Sequence, residues 1–291
     1  MVTALESQLV ELLASCWTTA GDARPTRGDE RSPFPLPSRI EAAADAGYRG
    51  FGIVHADLVA AEATSGFDAI ATMLATHAVV HLELEMLNDW FATGSRRRAS
   101  DLVRVDLLRA AERLRPRHIK VGSEIDGHEW PWGRLVESFA ELCRQAADAG
   151  TRIAIEPMPF GQVKDLTLGR RLVDDAGQAN GGLMLDLWHM VRGGVDFAEI
   201  RDLPARYIFA VELDDADEQV RGATLWEDTL DFRRLCGEGE QDVTGFIAAI
   251  QATGYAGPWG VEILSEDFRH LALQEQARRS FQTAMGMFAA R

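Results

Sequence analysis

The feature that most constrains this chain is a change of period that repeats along its length. Short apolar runs alternate with longer amphipathic stretches, which is the pattern of strands followed by helices. Strands are predicted at 11–17 (E-L-L-A-S-C-W), 49–55, 78–85, 117–122, 151–157, 182–187, 207–213 and 258–263. Helices are predicted at 37–47, 66–76, 100–114, 131–150, 164–178, 197–203, 242–254 and 266–289. Residues 4–14 also carry a helical period, so the first strand has a competing reading. The polar, proline-rich stretch from 18 to 37 reads as a long loop. Strands joined by helical crossovers pair in parallel, with right-handed connections. Eight such units without a switch of pattern predict an α/β fold, a single (β/α)8 TIM barrel filling residues 1–291 as one domain. An open doubly wound sheet would carry G-x-G-x-x-G after its first strand, and that motif is absent.

Charge narrows the partners. Lys and Arg total 30 against 45 Asp and Glu, a formal net charge of −15. A surface this acidic repels nucleic-acid backbones and anionic membranes, so neither is expected as a partner. No uncharged apolar run reaches the roughly 18–20 residues of a membrane span. The start, M-V-T-A-L-E-S-Q-L-V-E, has no basic leader and carries Glu6 and Glu11, which is not the pattern of a secretory signal. Cys16, Cys143 and Cys236 are widely spaced and form no C-x-x-C. Reduced thiols and a cytoplasmic location are expected. The expected partner is a small molecule, and a homo-oligomer is compatible with the composition.

The position of the acids is the functional signal. Four consecutive predicted strands end on a carboxylate: Glu156 in I-A-I-E-P, Asp186 in L-M-L-D-L, Glu212 in F-A-V-E-L and Glu262 in W-G-V-E-I. An acid in an apolar run is costly to bury unless it is paired, protonated or metal-bound. Any one of them alone could be a salt bridge at a strand end. In a parallel barrel, however, all strand ends converge on the face that carries the active site. Four converging carboxylates raise one another's pKa and call for a cation. Oxygen donors suit Mn²⁺ or Mg²⁺ better than zinc or copper.

Other candidates fall at strand ends as well. His189 follows Asp186 by three residues in D-L-W-H, on a predicted loop. His55 closes the second predicted strand. Lys120 lies inside H-I-K-V-G, and Glu83 and Glu85 share one face of H-L-E-L-E. Trp17, Trp90 and Trp188 could wall a pocket, although core packing is the ordinary role of each. A Walker A loop, H-E-x-x-H and G-x-S-x-G are all absent.

At I-E-P, L-D-L-W-H, G-E-G-E-Q-D (237–242) and G-Y-A-G-P-W-G-V-E-I (254–263), the chain resembles the sugar phosphate isomerase/epimerase family, the xylose isomerase-like barrels. The resemblance covers most of the chain and is strongest from about residue 117 onward. It implies a divalent metal, often Mn²⁺, held by Glu156, Asp186 and Glu262 with a fourth ligand. Glu212 stands where such barrels usually carry a histidine. The resemblance also implies that Glu156 and Glu262 act as paired base and acid and that His189 binds substrate beside the metal. Arg221 is a loose match to a contact with substrate oxygen, and Glu85 and His55 are further candidates for binding substrate.

The expected chemistry is isomerisation or epimerisation of a keto-sugar or related polyol, by proton abstraction next to a carbonyl. Lys120 would serve as base or oxyanion partner. The alternative is a lyase or dehydratase on the same scaffold, with a keto-inositol, dehydroshikimate-like or keto-glycoside substrate. Related endonuclease-like barrels need more histidines and a basic groove, and this acidic chain has only seven histidines. A barrel that has lost its catalysis is the third class, and Glu212 is the feature that speaks for it.

Overall fold

The computed structural model describes residues 10–26 and 28–289. Eight strands run in order around a closed parallel barrel: β1 (Leu12–Ala14), β2 (Gly50–Val54), β3 (His81–Leu87), β4 (His118–Val121), β5 (Ile153–Ile155), β6 (Gly181–Asp186), β7 (Ile208–Leu213) and β8 (Trp259–Val261). The barrel closes where β1 pairs with β8, Leu13 opposite Gly260. This is the predicted (β/α)8 TIM barrel.

Side chains alternate across each strand, and here the two faces differ in chemistry. Leu82 and Leu84, Ile119 and Val121, Ile153 and Ile155, and Leu183 and Leu185 belong to one large buried cluster with the surrounding helices. Burying this layer supplies most of the driving force, at about 25 cal/mol per Å² of apolar surface. The opposite parity points inward. It opens with an apolar plug of Ala154, Met184 and Ala210, joined by Phe209 where a register shift in β7 breaks the alternation. The inward side also carries Glu83 and Glu85 on β3, His118 and Lys120 on β4, Glu156 just after β5, Asp186 on β6 and Glu212 on β7, all buried. Barrel interiors are usually filled by branched apolar residues, so this filling is polar by exception. Gly52 makes room for it, because a Cβ there would lie 2.9 Å from Glu83 Oε1 and 3.0 Å from Glu85 Oε1.

Several elements depart from the sequence reading. The first strand is short because the chain turns at Ser15 into a 3₁₀ helix, Cys16–Thr19, anchored by Thr18 Oγ1 donating to the Val261 carbonyl at 2.6 Å. The competing helical reading of 4–14 fails where it is testable, since Leu12–Ala14 is strand; positions 4–9 lie outside the described residues. An unforeseen helix, His55–Ser65, starts directly after β2. The helix predicted from residue 100 begins at Gly94. The stretch predicted as one helix at 266–289 is two, Glu266–Arg269 and Leu273–Ala289. Gln276 sustains that break: its amide donates to the Arg269 and Leu271 carbonyls at 2.9 and 3.1 Å.

Candidate active site

The carboxylates converge on the mouth as expected, and each has a local reason for its place. Glu156 follows β5 immediately and precedes Pro157, which cannot extend the ladder. Asp186 ends β6 and is also the N-cap of a helix, Leu187–Arg192, accepting from the His189 backbone N–H at 2.9 Å. His189 therefore sits on the first turn of a helix, not on a loop, and the cap fixes its position. Glu212 is the fifth residue of β7, in register with Asp186 and Gly260. Glu262 follows β8. Two sets of ligand atoms lie within 4.8 Å of one another, Glu156–Asp186–His189 and Asp186–Glu212–Glu262.

Two buried cations stand among these acids. Lys120 Nζ donates to both oxygens of Glu212 at 2.8 and 2.9 Å and to Glu262 Oε1 at 3.0 Å. It also lies 3.2 Å from Glu85 and 3.9 Å from Glu156. Burial pulls the lysine down, but Glu156, Glu212, Glu262 and Glu85 outweigh it and hold Lys120 well above its ordinary value. A lysine held charged is a hydrogen-bond donor and not a base, which removes one of the two roles expected of it. Arg233 was not singled out in the sequence. It lies 2.7 Å from Asp186 and 3.2 Å from Glu262, pairs with Asp214, and is 1% exposed.

A loop clamp presents that arginine. Asp215 accepts from the backbone N–H groups of Gly237, Gly239 and Gln241 at 2.9, 3.0 and 3.0 Å, which is the local role of the G-E-G-E-Q stretch. Arg233 and Arg234 precede that stretch, and backbone bonds tie them to Leu264 and Asp215. The helix Leu225–Asp231, between the predicted strand at 207–213 and the predicted helix at 242–254, places Thr229 Oγ1 2.9 Å from Arg233 Nη2.

The surroundings set unequal proton affinities. Burial, helped by Glu262 and Asp186 and opposed by Lys120, raises Glu156 to about 8. Burial and the repulsion of Glu262 push Glu212 well up despite Lys120. Burial likewise raises Asp214 and Glu262. Asp186 goes the other way: Arg233 overcomes burial and lowers it. Burial depresses His189 to about 3, so its ring is neutral near pH 7. Three polar atoms here lack a hydrogen-bond partner among the described residues, Glu156 Oε1, His189 Nδ1 and Asp214 Oδ1. Glu156 Oε1 is 3.7 Å from His189 Nε2.

The cavity above is lined by Glu85, Lys120, Glu156, His189, Arg233 and Glu262 at its floor. Its walls are apolar, and they include Trp17, Phe160 and Trp226. Phe160 and Trp226 meet edge-to-face at 5.1 Å, and Phe160 meets His189 in the same way at 5.7 Å. Trp17 thus walls the pocket, whereas Trp90 and Trp188 pack in the interior. His55 reaches the cavity edge while pairing with Asp106 at 2.9 Å. Arg221 does not reach it. Its side chain is 51% exposed, pairs with Asp217 at 3.0 Å and lines a different depression. The substrate contact expected of Arg221 is therefore absent from this arrangement.

The donor set fits a divalent cation. The mouth holds more buried carboxylates than Lys120 and Arg233 can neutralise, and Glu156, which lines the cavity, has an oxygen unclaimed by any hydrogen bond among the described residues.

Comparison with known proteins agrees with this geometry. Residues 40–287 match the family described as xylose isomerase-like TIM barrel, and the chain belongs to that family. The 3-dehydroshikimate dehydratase of Pseudomonas aeruginosa is 36% identical over 136 residues, which cover 46% of this chain and 21% of that protein. The inosose isomerase of Bacillus subtilis is 24% identical over 152 residues, 52% of this chain and 53% of that protein. Of solved structures, the IOLI protein with a bound zinc atom superposes with a TM-score of 0.82 at 17% identity, covering 97% of this chain and 98% of that one. A xylose isomerase-like TIM barrel/4-hydroxyphenylpyruvate dioxygenase fusion protein gives 0.81 at 25% identity, covering 96% of this chain and 43% of that one. The match thus spans about a fifth of the length of the dehydratases and under half of the fusion protein. These relatives are named as dehydratase and isomerase, so the scaffold serves both kinds of enzyme.

Proposed function

We propose that this member of the xylose isomerase-like TIM-barrel family is a divalent-cation-dependent enzyme that removes a proton next to a carbonyl in a small carbohydrate-like substrate. Returning the proton to the opposite face, or to the neighbouring carbon, makes it an epimerase or isomerase of a keto-sugar or related polyol. Glu156 carries the reading. It lines the cavity floor, one of its oxygens has no hydrogen-bond partner among the described residues, and burial holds its carboxyl near 8. A general base is most effective with a pKa near the working pH and contributes about 10²–10⁴-fold.

Glu156, Asp186 and Glu262 would hold the cation, with Glu212 in reach of Asp186 and Glu262. All-oxygen donors favour Mn²⁺ or Mg²⁺. When bound, such an ion supplies Lewis-acid polarisation of a carbonyl oxygen. The residues of the chain do the rest. Glu156 takes the proton, and Glu262 returns one. His189, neutral and fixed by the Asp186 cap, hydrogen-bonds a substrate oxygen. Lys120 donates to negative charge that develops at the floor. Glu85 and His55 hold hydroxyl groups at the cavity edge. Phe160 and Trp226 keep water from the reacting carbon. Three buried, unpaired cysteines fit a reducing compartment such as the cytoplasm.

A second reading has its own support in the 36% identity with a named dehydratase. After the same proton is removed, loss of a β-hydroxyl would make the enzyme a lyase on a keto-inositol, dehydroshikimate-like or keto-glycoside substrate. Incubating such ketones with the Mn²⁺-loaded protein in D₂O distinguishes the two. The expected result is deuterium incorporation, with product mass otherwise unchanged for an isomerase and lowered by one water for a dehydratase. Turnover that leaves every carbon–hydrogen bond intact would falsify proton abstraction.

A further inference from the structure

We infer that the substrate is uncharged and two-sided, with hydroxyl groups along the edge that meets the loops after β1 to β3 and an apolar group, such as an aryl aglycone, on the side that meets the loops after β5 and β7. The inference rests on the proton abstraction proposed above and names the kind of ketone that undergoes it.

The two halves of the cavity wall differ in chemistry. In a closed barrel of eight strands in sequence order, β5 to β7 stand across from β1 to β3. The polar side chains that line the cavity above its floor come mainly from the first half: Thr26 and Glu30 after β1, His55 after β2 and Asn88 after β3. The second half contributes Met158 and Phe160 after β5, and Trp226 and Leu230 after β7. Its one lining hydroxyl, on Thr229, already accepts from Arg233 at 2.9 and 3.1 Å. Apart from the Trp226 indole N–H, that half offers a substrate hydroxyl no unengaged side-chain partner above the floor, among the described residues. Apolar residues such as Trp17 and Val54 line the first half too, so the difference lies in the groups that can bind hydroxyls. Phe160 and Trp226 meet edge-to-face at 5.1 Å, yet both are only half-buried. Their remaining carbon surface gains most from an apolar group laid against it.

Charge fixes the other half of the inference. Both lining cations are committed, Lys120 to Glu212 and Glu262 at 2.8 to 3.0 Å and Arg233 to Asp186 at 2.7 Å and to Asp214. His55 faces Asp106 at 2.9 Å. Glu30, Glu85, Glu156 and Glu262 line the cavity as well. A phosphate or carboxylate remote from the reacting carbonyl would meet these acids and no uncommitted cation among the described residues. A free hexose is mismatched for the opposite reason. It carries hydroxyls around its ring, and those turned toward Phe160 and Leu230 would exchange water for carbon.

The test offers the Mn²⁺-loaded protein four ketones: phenyl and methyl keto-glucosides with the ketone at the same carbon, a phosphate ester of the methyl compound, and a keto-inositol. Exchange in D₂O of the hydrogen next to the ketone gives kcat/KM for each. The phenyl compound should exceed the methyl compound about tenfold or more, through burial of the added ring. The phosphate ester should fall about tenfold or more below its parent. Trp226→Ala should bring the phenyl-to-methyl ratio close to unity, a loss of selectivity that general damage to the fold would not produce. A wild-type ratio near unity, a ratio that neither Trp226→Ala nor Phe160→Ala changes, a faster reaction on the phosphate ester, or exchange confined to the keto-inositol overturns the inference and leaves proton abstraction standing. No exchange on any of the four rejects proton abstraction itself, and this inference with it.

Discussion

The two sides of the acidic mouth are built differently. On the Arg233 side, Asp186 accepts from Arg233 and from the His189 backbone, and Arg233 is further braced by Thr229 and Glu262. Its low proton affinity matches that full set of partners. On the Glu156 side, a carboxylate oxygen and an imidazole nitrogen have no hydrogen bond among the described residues, and burial raises the acid to about 8. A buried polar group without a partner costs about 1–3 kcal/mol. Glu156 and His189 line the cavity, whereas the unpartnered Asp214 Oδ1 belongs to a residue that pairs with Arg233 and does not line it. The contrast is one of bracing: the Arg233 side is held by many partners, whereas Glu156 and His189 each keep an atom without a hydrogen bond among the described residues at the cavity.

The first way to break this comparison is Arg233→Met. Removing one member of a buried ion cluster leaves uncompensated charge and costs about 3–5 kcal/mol. Urea unfolding of the cation-free protein should show a loss of that size, and a loss below about 1 kcal/mol would remove Arg233 from the scaffold. Glu156→Gln should do the reverse. Stability of the cation-free protein should hold or rise, because Gln is neutral where the acid already favours its neutral form. Turnover should fall about 10²–10⁴-fold. Equal damage to stability in both variants would erase the distinction between the two sides.

The dependence on pH sharpens it. Glu156 is raised from 4.5 to about 8 in the folded chain, so folding keeps a proton that the unfolded chain releases. That contribution is complete below pH 4.5 and is lost as pH rises through 8. His189 is depressed from 6.5 to about 3, so below 6.5 the unfolded chain takes up a proton that the folded chain refuses. Stability from that residue falls as pH drops from 6.5 toward 3. The melting temperature of the cation-free protein should therefore decline from pH 6.5 to 8.5. Saturating Mn²⁺ should flatten that decline, because a bound cation replaces the proton. A cation-free melting curve that climbs across this range would contradict the assignment. The smallest effect is expected at Arg221, outside the mouth. Arg221→Ala should leave stability within about 0.5 kcal/mol and turnover unchanged, and a tenfold loss of turnover would return it to the site.

The barrel was legible in the sequence because its signal is repeated: eight apolar runs, each followed by an amphipathic stretch. The four strand-end acids were legible for a related reason, since an acid stands out in an apolar run. Arg233 was not, because it lies in a loop where an arginine is unremarkable, in F-R-R-L-C-G-E-G-E. Only the Asp215 clamp and the crossing to Leu264 bring it into the mouth, and both are long-range contacts that no local pattern encodes. The helical setting of His189 was missed because six residues are too few to establish a period. Arg221 misled through spacing alone: it follows β7 at a plausible distance, yet pairs with Asp217 and turns outward. Lys120 was seen, but its charge state depends on four acids from other strands.

The most direct test of the central claim is equilibrium binding of Mn²⁺ to chelator-stripped protein, followed by the spin-resonance signal of the free ion. The account predicts one ion per chain in the wild type and at least about tenfold weaker binding in Glu156→Gln, with unfolding of the variant unchanged. A wild type that binds no ion, or a Glu156→Gln variant that binds as tightly as the wild type, would contradict it.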